Sequence, residues 1–403
     1  MVSHKTYIGK AVAACLAVCI TAASFSLPSA SAEIKQLPRP EIPGLFVSPD
    51  DPLQNLTARS AVVMDAATGR IIYQRDMDAR RFPASTTKMM TLIVALENAD
   101  PDDIVTVSKT AAGTEGSTLW LEPGDKIRLG DLLEGMMMVS GNDATVAIAE
   151  HIAGSVDAFA AMMTEKAHDI GATDTSFVNS SGLPDENHYT TAHDLALIAA
   201  YGYSVPGFKE TVSIKEKNFQ WVRDPEHRLR NENQMLWLYR GGNGVKTGYT
   251  DAAGRCLVSG AERDGIQLVA VVLDSVYMWN DSINLLDYGF SQIEPNCLAN
   301  KGEIIAEVPV VSGRKDSVKV RIADSLVLPD VKGDTMGYAR ELDLPHFIKA
   351  PVKEGDVVGR LVIKHDGEEV ASADLVAAES IEQKSFFLAI KKAFNRLLNG
   401  FWR

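Results

Sequence analysis

The sequence predicts an α/β chain of the α+β kind, an antiparallel sheet packed with helices, followed by a small all-β domain. Three observations carry that expectation. Two β-like runs, Ala61-Val62-Val63-Met64 and Arg70-Ile71-Ile72-Tyr73, precede a helical stretch from Met89 to Leu96 that is apolar nearly all round. Strand-like runs joined by tight turns fill residues 243–274, as antiparallel neighbours do. Beyond a composition shift at Glu294-Pro295-Asn296, residues 301–380 read as short alternating strands such as Val318-Lys319-Val320-Arg321-Ile322.

The ends of the 403-residue chain read differently from its middle. Residues 1–32 have the form of a secretory signal peptide: Lys5 and Lys10, an apolar run from Ala11 to Leu27, and the small-x-small site Ala30-Ser31-Ala32. The apolar run is short for a membrane span, and a cleavage site follows it. Residues 33–54 hold Pro38, Pro40, Pro43, Pro49 and Pro52 and read as an extended leader. Cleavage would remove Cys15 and Cys19, leaving Cys256 and Cys297 as two thiols free to pair or not in an exported protein. The formal net charge of −13 argues against nucleic acid as a partner, because phosphate recognition needs a basic face.

The chain in order first offers Pro83-Ala84-Ser85-Thr86-Thr87-Lys88 at the start of the apolar helix. Pro83 suits a helix start, where no backbone N–H is needed. Ser85 and Lys88 are three apart and share one helix face, so an amine lies within reach of a hydroxyl. A serine needs an adjacent base to become a nucleophile, and burial can lower a lysine's pKa enough to make it one. The alternative is a helix-start serine beside a solvated lysine. Ser-x-x-Lys recurs at Ser312-Gly313-Arg314-Lys315 in a polar turn.

Residues 102–170 alternate helical stretches with loops. Leu129 to Met138 is one helix and Asp143 to Ile152 the next, with Ser140-Gly141-Asn142 between them as a plain cap or a cleft loop. Met136-Met137-Met138 reads as core filling. Thr191 and Asp194 have helix-capping spacing. His188 and His193 are not the i,i+4 pair of a zinc helix, and no third ligand cluster accompanies them, so no metal or cofactor is expected. Lys246-Thr247-Gly248 occurs once, on a strand. Residues 381–403 read as a last helix with Phe386, Phe387, Phe394 and Phe401 on one face and basic residues opposite. That pattern suits a membrane surface, or else a face packed on protein.

Ser85-x-x-Lys88, Ser140-Gly141-Asn142 and Lys246-Thr247-Gly248 occur in that order, 55 and 106 residues apart. Together they resemble the active-site trio of penicillin-binding proteins and serine β-lactamases. The stretches Arg81 to Thr91, Ser181-Gly182-Leu183, His188 to Ala192 and Gly244 to Tyr249 are similar to the serine D-alanyl-D-alanine carboxypeptidases, the low-molecular-mass penicillin-binding proteins, over roughly residues 55–380. The resemblance implies a transpeptidase-like catalytic domain over 55–294, a β-rich C-terminal domain over 301–380 and a membrane-associating helix over 381–403. It implies a substrate, the peptidoglycan stem peptide, and inhibitors, the β-lactams, acting at the outer face of a bacterial cytoplasmic membrane.

The residue roles follow by the same resemblance. Ser85 is the nucleophile and Lys88 the acylation base. Ser140 relays a proton to the leaving amine, and Asn142 holds Lys88 and the substrate amide. Lys246 adds positive charge, Thr247 donates to the terminal carboxylate, and Gly248 admits the substrate backbone. The backbone N–H groups of Ser85 and Tyr249 form the oxyanion hole. Neighbouring strand residues face opposite ways, so Lys246 and Thr247 both serve only where their strand borders the cleft and twists. A serine β-lactamase and a catalytically silent peptidoglycan-binding protein are the alternatives. No Glu-x-x-Leu-Asn stretch lies between Asn142 and Lys246, which points away from the class A lactamases, and an intact trio points away from silence.

Overall fold

The computed structural model describes residues 48–221, 228–334 and 337–384. The expected signal peptide, the leader up to residue 47 and the terminal helix beyond Lys384 lie outside the described residues.

β1 (Ser60–Asp65) and β2 (Ile71–Arg75) form the first hairpin. A 3-10 turn, Ala84–Thr87, runs into α1 (Lys88–Asn98). The helical block then contains α2 (Lys109–Ala112), a small ribbon of β3 (Ile104–Thr106) and β4 (Lys126–Arg128), α3 (Leu129–Val139), α4 (Asn142–Ala153) and α5 (Val156–Asp169). α6 (Ala192–Ser204) and α7 (Phe208–Val212) complete it. The expected cap is present: Thr191 Oγ1 accepts from the Asp194 N–H at 3.0 Å at the start of α6. β5 (Glu216–Asn218) pairs with β6 (Arg228–Arg230), and α8 (Met235–Leu238) leads back to the sheet. β7 (Gly242–Thr250), β8 (Gly254–Arg263) and β9 (Ile266–Ser275) form an antiparallel meander, and α9 (Met278–Ser291) follows.

β9 pairs with β1, so the sheet order is β2-β1-β9-β8-β7 and β7 is an edge strand. Side-chain alternation explains why the sheet is covered on both faces. Val62, Met64, Val258, Val269 and Val271 join the core shared with α1, α3, α4, α5 and α6. Ala61, Val63, Leu257, Leu268, Ala270 and Val272 join a second core with Leu285 and Leu286 of α9. The expected leader does not run loose to residue 54. Its last part is tied to β2, where Asp51 takes Arg75 at 2.7 Å and the Tyr73 hydroxyl at 3.0 Å.

The C-terminal part is all β: β10 (Ile293–Ala299), β11 (Ile304–Val311), β12 (Ser317–Ile322), β13 (Leu326–Val331), β14 (Ala339–Asp343), β15 (Ile348–Lys349), β16 (Val357–His365) and β17 (Glu368–Ala377). β10 pairs with β13, and the others form a sheet in the order β14-β16-β17-β12-β11-β15. Its core includes Val318, Val320, Ile322, Leu361 and Leu375. The helix expected to begin at residue 381 does not begin there. Ile381 pairs with Val352 and Gln383 with Gly313, because Ile381 is a buried member of this β core. Cys256 and Cys297 are both free, the first buried and the second exposed, so they do not pair. Burial pushes the Cys256 thiol up to about 12.

Candidate active site

Ser85 lies in the 3-10 turn ahead of α1, after a residue in the left-handed region: Ala84 has φ 48°. Ala84 is buried, and surrounding contacts hold the turn. Thr86 Oγ1 donates to the Pro83 carbonyl at 2.7 Å. On one side stands β7, where a Cβ added to Gly248 would lie 3.0 Å from the Ser85 nitrogen. On the other stands Gly182, at φ 90°, where a Cβ would lie 1.8 Å from the Ala84 carbonyl oxygen. Both positions therefore need glycine for close approach.

Lys88 has no exposed surface. Its Nζ lies 2.9 Å from Ser85 Oγ, 2.7 Å from Asn142 Oδ1 and 2.8 Å from the Ser181 carbonyl oxygen. Burial, and then the charge of Lys246, hold the amine well below the ordinary lysine value, while Glu232 and Asp143 oppose the shift. Lys246 is also buried, which brings it down to about 8 against the opposing charge of Glu232. A neutral amine has two N–H donors and one lone pair. Asn142 Oδ1 and the Ser181 carbonyl can only accept, so they take the two donors. The lone pair is left for the Ser85 hydroxyl.

Ser140 ends α3 in the left-handed region at φ 65°, and its buried hydroxyl has no hydrogen-bond partner among the described residues. Asn142 opens α4 and is fixed at its other end, where Nδ2 donates to the Glu115 carbonyl at 2.7 Å. Lys246 and Thr247 lie on β7, an edge strand, where Lys246 Nζ bends back to within 3.2 Å of the Thr247 carbonyl oxygen and 3.4 Å of its Oγ1. Tyr249 follows on the same strand with 60% of its surface exposed. The structure thus gathers Ser85, Lys88 and Asn142 by direct contact and lays Lys246, Thr247 and Gly248 along the adjoining strand.

Sequence reasoning missed the supports of this cluster. Asn179 Oδ1 accepts the N–H groups of Ser181 and Gly182 at 3.1 and 2.8 Å, which aims the Ser181 carbonyl at Lys88. In Asn179-Ser180-Ser181-Gly182 an Asn precedes small turn residues, an Asx-turn pattern, and that signal was there to read. Asp143 is buried, and its carboxylate takes the Thr118 hydroxyl and the N–H groups of Leu119, Leu121 and Ala144 at 2.7 to 3.1 Å. His188 Nδ1 accepts the Val178 N–H at 3.2 Å, so the proton is on Nε2, which donates to Thr87 Oγ1 at 2.8 Å. Burial takes His188 down to about 4, and it stays neutral.

A family model described as D-alanyl-D-alanine carboxypeptidase matches residues 47–276, and one described as penicillin-binding protein 5, C-terminal domain, matches residues 294–383. The D-alanyl-D-alanine carboxypeptidase DacF of Bacillus subtilis is 33% identical over 344 residues, 83% of this chain and 88% of the relative. DacA of Haemophilus influenzae is 34% identical over 347 residues, 82% of this chain and 87% of the relative. Among solved structures, penicillin binding protein 5 from Haemophilus influenzae is similar with a TM-score of 0.59 and 31% identity, covering 84% of this chain and 100% of the other. A peptidoglycan synthesis regulatory factor, PBP3, from Streptococcus pneumoniae is similar with a TM-score of 0.66 and 26% identity, covering 81% and 100%. This chain belongs to the D-alanyl-D-alanine carboxypeptidase family of serine peptidases, with a C-terminal domain of the penicillin-binding protein 5 kind.

Proposed function

We propose that this protein removes the terminal D-alanine from peptidoglycan stem pentapeptides through an acyl-enzyme on Ser85, and that β-lactams acylate the same serine. The observation that carries this reading is the hydrogen-bond count at Lys88: two acceptors, Asn142 and Ser181, leave the lone pair for Ser85. Lys88 takes the Ser85 proton as Oγ attacks the carbonyl of the penultimate D-alanine. The backbone N–H groups of Ser85 and Tyr249 receive the developing oxyanion. The unpartnered hydroxyl of Ser140 gives its proton to the leaving amine and takes in return the proton that Lys88 holds, so the C–N bond breaks and Lys88 is neutral again. Lys246 and Thr247 receive the terminal carboxylate of the leaving residue. Water then attacks the ester, with Lys88 again as base, and frees Ser85.

The same reading extends to the cell. Residues 1–32 direct export and are removed, the catalytic region spans 55–294 and the β-rich domain 301–380, and the segment ending at 403 attaches the protein to the outer face of the cytoplasmic membrane. The sequence supports this: residues 385–403 carry four basic residues and no acid, together with Phe386, Phe387, Phe394 and Phe401.

The test is release of D-alanine from a synthetic stem pentapeptide, with covalent labelling by a fluorescent penicillin. Wild-type protein should do both, and Ser85→Ala neither. A penicillin adduct on a different serine would sink the assignment.

A further inference from the structure

A cleft of about 490 Å³ opens beside the catalytic cluster and takes no part in the chemistry above. Three segments that lead to that cluster line it, together with Asp274 of β9. Arg80, Arg81 and Phe82 immediately precede Pro83-Ala84-Ser85. Glu186 and Tyr189 flank His188, which is bonded to Thr87. Ala252 lies on the turn after β7, beyond Thr247 and Tyr249. The first two segments are joined, since Arg81 and Thr190 exchange both backbone hydrogen bonds, at 2.8 and 2.9 Å.

The two arginines are not equivalent. Arg80 is committed: Asp174 takes its Nε and Nη2 at 3.2 and 2.7 Å, and its guanidinium lies 4.5 Å over the Tyr189 ring. That pair makes a flat wall. Arg81 is half-buried and makes one side-chain hydrogen bond among the described residues, from Nε to Ser60 Oγ at 2.6 Å. Its two terminal nitrogens are unspent. Burial lowers its pKa from the ordinary arginine value; the charge of Asp274 opposes that and Arg59 adds to it. Asp274 shares the cleft but is engaged by Arg59 at 2.8 Å, and Glu186 is exposed. A fixed, partly desolvated guanidinium with two parallel donors left over fits a carboxylate bidentately.

The spacing suits one occupant. β7 is an edge strand, and an extended peptide can run beside it. A peptide whose terminal carboxylate sits at Thr247 advances one residue per strand residue. β7 runs three residues past Thr247, roughly 10 Å at the rise of a strand, and Ala252 sits on the turn just beyond its end. The first residues of a pentapeptide therefore arrive at this cleft. We propose that the cleft is a subsite for the upstream end of the stem peptide, in which the Arg81 guanidinium receives a side-chain carboxylate and Tyr189 and Phe82 cover the adjoining apolar part. This rests on the carboxypeptidase reading.

The test compares Ala-Glu-Lys-D-Ala-D-Ala with Ala-Gln-Lys-D-Ala-D-Ala, which differ in that one charge. Wild-type protein should prefer the first at least tenfold in kcat/KM, mostly through KM, and Arg81→Gln should bring the ratio close to one. Ala252→Glu, on an exposed turn residue, should cut the ratio at least threefold and carries the test if Arg81→Gln fails to fold. A wild-type ratio near one, or an Arg81→Gln loss as large on acetyl-Lys-D-Ala-D-Ala as on the glutamate peptide, would overturn the proposal. Calorimetry with Ser85→Ala reads the same preference as a Kd ratio without turnover. Failure to release D-alanine thus strikes the reaction, and equal Kd values strike the subsite.

Discussion

Gly182 presses its bare α-carbon against Ala84: a Cβ there would stand 1.8 Å from the Ala84 carbonyl oxygen and 2.3 Å from the carbonyl carbon. Those atoms belong to the left-handed residue that precedes Ser85. Gly182→Ala should therefore displace the Ser85 turn, abolish penicillin labelling and lower stability by roughly 2–5 kcal/mol. Gly69→Ala is the control, since its φ of 69° is unfavourable but nothing lies within 4 Å. It should cost about 1 kcal/mol and leave labelling intact, both read by urea titration and gel fluorescence.

Ser140 makes a contrasting case. Its buried hydroxyl has no partner among the described residues, so the folded protein gains nothing from it without substrate. Ser140→Ala should leave the melting temperature unchanged or slightly raised, while D-alanine release falls by roughly 10²–10⁴ as a proton relay is lost. A fall in stability with unchanged turnover would reverse the assignment.

The two buried lysines set the pH profile. In the proposed mechanism Lys88 works neutral and Lys246, with a value of about 8, works charged. For a peptide ending in a carboxylate, kcat/KM should rise on the acid side as Lys88 loses its proton and fall above about pH 8 as Lys246 loses its own. The two titrate as a pair, because discharging Lys246 removes one of the influences holding Lys88 down. An amidated peptide should be cut more slowly at pH 7 and lack the alkaline fall.

His188 should make the fold sensitive to acid. In the unfolded chain it takes a proton at its ordinary 6.5, whereas the folded protein refuses one until about 4. Unfolding therefore takes up a proton in that window, and stability declines as the pH drops from 6.5 to about 4. The decline attributable to this one group is roughly 3 kcal/mol. His188→Asn should flatten the curve of melting temperature against pH over that range.

Asp143 is a clamp that neither an amide nor a methyl group replaces. Asp143→Ala strands the N–H groups of Leu119 and Leu121, and Asp143→Asn turns a donor toward them. Each should cost roughly 2–5 kcal/mol. Each should also slow acylation, because the same loop holds Asn142, whose N–H donates to the Ser117 carbonyl at 2.7 Å. Thermal melts and stopped-flow labelling would separate the two effects.

The parts of the site that were legible in the sequence are side chains at short, fixed spacings. Ser85 and Lys88 are one helical turn apart, and that geometry is local. Thr191 as a cap and Lys246-Thr247 on a strand are local too. The rest depends on long-range packing. Asp143 looks like an ordinary first-turn acid until Thr118 to Leu121 fold over it. The Ser181 carbonyl is backbone, which no residue type announces. The left-handed turns at Ala84 and Ser140 fall on residues that do not favour that region, so only the packed structure reveals them. In the fold, the three-strand meander was readable from its turns. The pairing of β1 with β9 joins segments some 200 residues apart, and nothing in either strand specifies the other.

Lys88 meets Ser85, Asn142 and Ser181, which belong to three stretches of chain far apart in sequence. Ser85 is a near neighbour, but a half-made molecule holds neither Asn142 nor Ser181 in register with Lys88. Covalent capture of a β-lactam is therefore also a census of finished molecules: during refolding, or in a preparation of mixed quality, the labelled fraction counts the chains that have arrived.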